Sequence, residues 1–314
     1  MIARTDAPAA RRKLQHASLL GIEQLETDEI TAILRLARRF QRGRPRPIFK
    51  EKRIALLFYE ASTRTRISFE FAAKVLGATT TIVHPTASSV EKGESLLDTG
   101  LTIRALGAHV IIIRHPSSGA PHVLARYVDV PVINAGDGMH EHPSQALLDA
   151  FTILQHKRAL RGLKVAIIGD IFHSRVARSE VHLLSRFGAK VVLCGPPELA
   201  PEAAATLASG VQVTRTIGEA MRAADVVMVL RIQKERLAGK QISVEQYISN
   251  YQVTAERLNM AKRDAILMHP GPIIRGMELT GDLADSPQSV VLQQVANGVP
   301  VRMAILARAM NIRV

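Results

Sequence analysis

The sequence predicts an α/β protein: two doubly wound parallel-sheet domains joined by helices, with an active site in the cleft between them. Three observations predict it. Short apolar runs of strand length alternate with helical apolar patterns along nearly all of the 314 residues, as expected of parallel strands linked by crossover helices. The length allows two domains, each with a sizeable core. Charged and hydrogen-bonding residues come after nearly every predicted strand, and open parallel sheets bind ligands outside the carboxyl ends of their strands.

Taken in order, a helix is expected from Thr27 to about Phe40, and Ile54–Phe58 is the first strand. It leads into Tyr59-Glu60-Ala61-Ser62-Thr63-Arg64-Thr65-Arg66 and then a helix ending at Gly77. The apolar stripe of that helix reads as Ile67, Phe71 and Val75, with Ala72 and Leu76 beside it. Strands Thr79–His84, His109–Ile113 and Val130–Asn134 come next, with helices near 94–106 and 121–128 between them. Pro143, at the favoured first position, opens a long helix to about Arg158 with Leu147, Ala150, Phe151 and Leu154 on one face. This helix is expected to bridge the domains. A second set of strands comprises Lys164–Ile168, Lys190–Cys194, Val211–Val213, Asp225–Leu230 and Ala265–Met268, and a helix from about Val290 to Met310 closes the chain.

Composition narrows the classes. The chain is 47% hydrophobic and 22% charged, and no apolar run approaches the roughly 20 residues of a membrane span. The single cysteine, Cys194, excludes an intramolecular disulfide and any CxxC metal site, which fits a reducing cytoplasm. The net charge of +13 admits nucleic acid as a partner. Yet there is no Trp, and the basic clusters Arg11-Arg12-Lys13 and Arg42 to Arg46 are short. Small anionic substrates account for dispersed arginines, and neither nucleic acid nor membrane is expected. The segment carrying Arg4, Arg11, Arg12 and Lys13 lacks the apolar core of a secretory signal; a tail or subunit-contact arm is expected there.

The residues just past each strand locate the chemistry. Ser62-Thr63-Arg64-Thr65 sit at a strand-to-helix turn, where outward N–H groups and the helix dipole favour a phosphate or carboxylate. Ser88 and Lys92 lie in the loop after the second strand, and Arg114 and His115 come after the third. Gly136 to Gln145 come after the fourth, with His140, His142 and Gln145 among them. The second half adds Gly169-Asp170 to Arg175, then Arg231-Ile232-Gln233-Lys234-Glu235-Arg236, then His269-Pro270-Gly271-Pro272. Singly, each is an ordinary loop residue; together they point to a cleft for anionic ligands. His140-x-His142 offers two metal ligands but no evident third, so no metal is expected; the alternative it leaves open is a metal-dependent amide hydrolase. The dinucleotide, P-loop and serine-elbow patterns are absent, and no cofactor is expected.

Phe58-Tyr59-Glu60-Ala61-Ser62-Thr63-Arg64-Thr65-Arg66-Ile67-Ser68-Phe69-Glu70 resembles the carbamoyl-phosphate signature of the aspartate and ornithine transcarbamoylases. His142-Pro143-Ser144-Gln145 matches the H-P-x-Q motif of that family. Arg231 to Arg236 and His269-Pro270-Gly271-Pro272 are similar to the aspartate enzymes, and the H-C-L-P motif of the ornithine enzymes is missing. The resemblance runs from about Leu19 to the last helix. It implies a carbamoyl-phosphate domain over residues 1–150, completed by the C-terminal helix at about 290–314, and an aspartate domain over 151–289. Ile274 stands where an asparagine is frequent in the family.

The resemblance implies carbamoyl transfer from carbamoyl phosphate to the α-amine of L-aspartate, the committed step towards pyrimidines, without a metal or a covalent enzyme intermediate. Ser62, Thr63, Arg64 and Thr65 would hold the phosphate, with Ser88, Gly271 and Pro272 also assigned to carbamoyl phosphate. Arg114, His142 and Thr65 would face the carbonyl oxygen, and Gln145 the carbamoyl NH₂. Lys92, Arg175, Arg231 and Gln233 would place the aspartate. Arginine forks suit its two carboxylates. Glu60 would pair with Arg175 and Arg236 as the domains close. The departing phosphate and His142 both stand as acceptors of the amine proton. In the family the Ser88–Lys92 loop reaches a neighbouring subunit's site, which implies a homotrimer with shared sites. Some members join a larger assembly with a regulatory or dihydroorotase-like subunit. Another amine acceptor, such as ornithine, is the alternative within the class.

Overall fold

The computed structural model describes residues 17–83, 94–232 and 242–312. The chain divides into two compact units. One holds the described residues up to Leu147 and those from Asn297 on; the other is Leu148–Ala296. Among the described residues, each carries one parallel sheet, of four strands in the first unit and five in the second.

In the first unit the elements run α1 (Thr27–Arg42), β1 (Arg53–Phe58), α2 (Thr63–Val75), β2 (Thr79–Val83), α3 (Leu96–Ala105), β3 (Val110–His115), α4 (Ala120–Tyr127) and β4 (Val132–Asp137). The sheet order is β2-β1-β3-β4. The chain thus leaves β1 towards one neighbour and returns on its other side, and this reversal is where doubly wound sheets open a ligand crevice. Register places Arg114 beside Phe58, the last residue of β1. Strands β1, β3 and β4 are largely buried on both faces, hence the apolar runs of β1 and β3, whereas the edge strand β2 is partly exposed. One face, with Ala55, Leu57, Ile111, Ile113 and Val132, packs with Ile103 of α3 and Leu124 of α4.

Two local expectations need correction. Helix α2 packs on β1 and β2 through Phe69, Ala72 and Ala73, whereas Phe71 and Val75 are 55% and 44% exposed. Two apolar stripes compete on this helix, and the one with small alanines lets it approach the sheet closely. Strand β4 starts two residues later than expected and runs on through Gly136 to Asp137. Pro131 has no N–H for the ladder, so it precedes the strand, though its carbonyl accepts from Ile111 N at 3.0 Å.

Helix α5 (Pro143–His156) comes after β4. The second unit then contains β5 (Lys164–Ile168), α6 (Arg175–Arg186), β6 (Lys190–Cys194), β7 (Gln212–Thr214), α7 (Ile217–Met221), β8 (Val226–Val229), α8 (Val244–Tyr251), α9 (Ala255–Leu258) and β9 (Ile266–Met268). The order β7-β6-β5-β8-β9 makes β5 the switch strand. Its core gathers Ala166, Ile168, Val192, Cys194, Val227 and Val229 with Ile217, Met221 and Tyr247. Helix α10 (Val291–Ala309) ends the described chain. The unit boundaries fall inside α5 and α10. Among the described residues, no helix is long and apolar enough to cross a membrane.

Candidate active site

The turn after β1 leads directly into α2, with Ser62 at the N-cap in extended conformation. Its hydroxyl makes no capping bond, and the first turn of α2 carries no acidic residue. Helices α1 and α3, by contrast, carry Asp28, Glu29 and Asp98 there. The N–H groups and positive dipole end of α2 are therefore not compensated by an acidic side chain, as an anion site requires. Thr63 and Arg64 are exposed, Ser62 is half-buried and Thr65 is buried. The turn is braced from within: the Ser68 hydroxyl donates to the Arg64 carbonyl and, at 3.1 Å, to the Thr65 carbonyl. Behind it, the Arg302 guanidinium lies 4.9 Å from the centroid of the Phe69 ring, a cation–π contact.

Arg114, near the end of β3, reaches the same edge. Its Nε is 3.2 Å from Glu60 Oε2, and its Nη1 donates to the Ala135 carbonyl at 3.3 Å. Glu60 thus faces an arginine of its own unit. His142 is buried; its Nε2 lies 3.5 Å from Thr65 Oγ1 and its Nδ1 3.4 Å from Ser144 Oγ. Gln145 is buried one turn on, its N–H donating to the His142 carbonyl at 2.9 Å. The β1 turn, the end of β3 and the start of α5 thereby present Ser62 to Thr65, Arg114, His142 and Gln145 on one sheet edge.

The segment that carries His142 is held by two buried carboxylates. Asp137 accepts from Gly119 N at 2.6 Å, Asn134 Nδ2 at 2.7 Å and Glu141 N at 3.1 Å. Burial pushes its pKa up, but the bonds from His140, Gly119 and Asn134 outweigh this and leave it below the ordinary carboxylate value. Glu141 accepts from Ile22 N at 2.8 and 3.0 Å. Gly138 makes the bend with φ +46°; a Cβ there would lie 2.6 Å from Ser118 N and 2.9 Å from the Pro116 carbonyl. Sequence patterns single out none of these bracing groups. The available signal is the crowding of carboxyl, amide and histidine side chains around a Gly-Asp-Gly turn.

In the second unit, Arg175 is the first residue of α6, after the N-cap Ser174. Sequence alone places it at the end of a loop. Ahead of it, buried Asp170 accepts from the His173 backbone N–H at 3.1 Å and lies 2.8 Å from His173 Nδ1. Arg231 is exposed just beyond β8. Gly271 and Pro272 come after β9; Gly271 has φ +76° and donates its N–H to His269 Nδ1 at 2.8 Å. The buried His269 is fixed in turn by Glu278 Oε1, 3.1 Å from its Nε2. Arg175, Arg231, Gly271 and Pro272 thus lie past the carboxyl ends of β5, β8 and β9. Ser88, Lys92, Gln233 and Arg236 lie outside the described residues.

Comparison with known proteins agrees with this layout. Residues 17–155 match the aspartate/ornithine carbamoyltransferase carbamoyl-P binding domain, and residues 161–309 match the Asp/Orn binding domain of the same family. The chain belongs to the aspartate/ornithine carbamoyltransferase family. It is 65% identical over 289 residues to the aspartate carbamoyltransferase catalytic subunit of Koribacter versatilis, covering 92% of this chain and 95% of the relative. Aspartate transcarbamoylase of Trypanosoma cruzi, solved with carbamoyl aspartate and phosphate, superposes with a TM-score of 0.85 at 31% identity over 96% of this chain and 97% of that one. Ornithine carbamoyltransferase of Pyrococcus furiosus gives 0.84 at 30% over 94% and 97%. The fold is therefore common to both acceptor classes, and the acceptor must be read from side chains.

Proposed function

We infer that this protein is a carbamoyltransferase that joins carbamoyl phosphate to L-aspartate, giving N-carbamoyl-L-aspartate and phosphate on the route to pyrimidines. The observation that carries the reading is the approach of Thr65 Oγ1 and His142 Nε2, at 3.5 Å, beside the uncompensated N-terminus of α2. An anion held by that terminus leaves its neighbouring carbonyl within reach of both groups. The acceptor is read from the second unit, whose candidate groups are the arginines Arg175 and Arg231, suited to a dicarboxylate.

In this reading Ser62, Thr63, Arg64 and Thr65 bind the phosphate. The amine nitrogen attacks the carbonyl carbon, and Thr65, Arg114 and His142 donate to the oxyanion that forms. The C–O bond to phosphate then breaks, and the amine proton passes to the departing phosphate or to His142. Gln145 orients the carbamoyl nitrogen. Glu60, which holds Arg114 at 3.2 Å, exchanges it for Arg175 and Arg236 in a closing step that excludes water. Lys92 and Ser88 complete the site from a neighbouring chain, so the working unit is a homotrimer, cytoplasmic in location. A regulatory or dihydroorotase-like subunit is a further partner of this assembly.

An amine panel tests the reading. Purified protein with carbamoyl phosphate should carbamoylate L-aspartate and leave ornithine, N-acetylornithine and N-succinylornithine untouched. Carbamoylation of ornithine in preference to aspartate would overturn it. N-(phosphonacetyl)-L-aspartate, present in a solved complex of the Trypanosoma cruzi relative, should inhibit strongly.

A further inference from the structure

The His140-x-His142 pair does not act as a pair: His142 turns to Thr65 and Ser144, whereas His140 turns to Asp137. His140 then meets a third residue that the sequence order hides. His122, on α4, brings its ring edge-to-face against that of His140, with centroids 5.4 Å apart. Each of His122, Asp137 and His140 offers one ligand atom, and these three atoms lie within 4.8 Å of one another. We propose that His122, Asp137 and His140 form a binding site for a divalent transition metal ion of the Zn²⁺ type, separate from the substrate groups.

Several observations support a built site rather than a chance meeting. His122 Nδ1 is buried without a hydrogen-bond partner among the described residues, and buried polar atoms are rarely left so. The Asp137 carboxylate is oriented by three donors that cannot titrate here: Gly119 N, Asn134 Nδ2 and Glu141 N. Outer hydrogen bonds of this kind fix the direction of metal-ligating carboxylates. His140 Nδ1 lies 3.1 and 3.3 Å from the two Asp137 oxygens.

The donor set selects the ion. Two imidazole nitrogens and one carboxylate oxygen suit Zn²⁺, with a fourth position left for water. Ca²⁺ and Mg²⁺ prefer oxygen shells. The ion would join α4 to the end of β4 and to the bend beyond it. That bend leads directly into His142 and Gln145. Its role is to stiffen the platform on which these residues stand; the ion itself touches no substrate.

The test uses untagged, chelator-treated protein titrated with Zn²⁺ by calorimetry, with Co²⁺ as a spectroscopic probe. Wild type should bind one ion per chain and develop the intense visible absorption of low-coordinate Co²⁺. His122→Ala and His140→Gln should each weaken binding by about tenfold or more. His156→Ala, at a histidine bonded instead to Gln293, should bind as wild type does. Zn²⁺ should raise the melting temperature of wild type and not of His140→Gln. Absence of stoichiometric Zn²⁺ binding, an octahedral-type Co²⁺ spectrum, or wild-type affinity in the His122 and His140 variants would overturn the proposal. Because the Co²⁺ spectrum is read on wild type, the test stands even if a variant fails to fold.

Discussion

Glu180, in α6, is fully buried beside Asp149 of α5, whose Oδ1 accepts from Gln294 Nε2 at 2.8 Å. Burial, then the Asp149 charge, hold the Glu180 carboxyl well above its ordinary value of 4.5. The folded protein therefore retains a proton that the unfolded chain releases. Stability should fall as pH rises from about the ordinary carboxyl value towards the raised one. Glu180→Gln removes that slope. Thermal unfolding across a pH series should show a higher melting temperature for the variant at neutral pH and little difference near pH 4.5. His142→Ala is predicted to act oppositely, on rate alone. Losing one oxyanion donor costs about 2.7–4 kcal/mol of barrier, so kcat should drop about 10²–10³-fold with an unchanged circular dichroism spectrum. Wild-type kcat in that variant would remove His142 from the carbonyl site.

At the scale of elements, the connection from β4 to α5 decides where His142 points. A Cβ on Gly138 would meet backbone atoms, Ser118 N and the Pro116 carbonyl, which cannot swing aside as a side chain can. Gly138→Ala should therefore cost about 1–3 kcal/mol, read by urea denaturation, and lower activity as His142 is displaced. An alanine variant of full stability and activity would show that the bend tolerates a side chain. Most elements were legible from periodicity, because central strands such as β1, β3 and β5 carry unbroken apolar runs. The buried stripe of α2 was not. Ile67, Phe71 and Val75 are spaced as a core stripe should be, but the sheet takes Phe69, Ala72 and Ala73. Which of two stripes is buried depends on what lies opposite, and spacing along one helix does not carry that information.

At the scale of the whole molecule, the proposed sharing of sites between subunits has a direct consequence. Lys92→Ala and Arg114→Ala proteins should each be nearly inactive. After mixing under conditions of subunit exchange, some trimers would join an intact Lys92 from one chain with an intact Arg114 from another. Activity should then return. No rescue, with exchange demonstrated by mass or charge separation of the hybrids, would mean that each chain builds its own site. The assignment of aspartate as acceptor belongs to this scale as well. Aspartate and ornithine enzymes superpose on the chain almost equally, at TM-scores of 0.85 and 0.84, so selectivity resides in a few side chains rather than in the architecture.

Local sequence determined much of this protein. A strand run leading into Ser62-Thr63-Arg64-Thr65 before a helical pattern pointed to an anion site, because helix starts expose N–H groups wherever they occur. The sequence placed Arg114 and His142 beyond strand ends, since parallel sheets direct those ends to one edge; in the structure β3 runs on through Arg114 to His115, and His142 comes after β4. The tertiary structure decided what those residues touch. Glu60 faces Arg114, His142 turns from His140 towards Thr65, and His140 joins Asp137 and His122 of helix α4. Apart from His140 with Asp137, three residues apart, these pairings join different segments of the chain. They are set by strand order and helix packing, and residue spacing along one segment does not encode them.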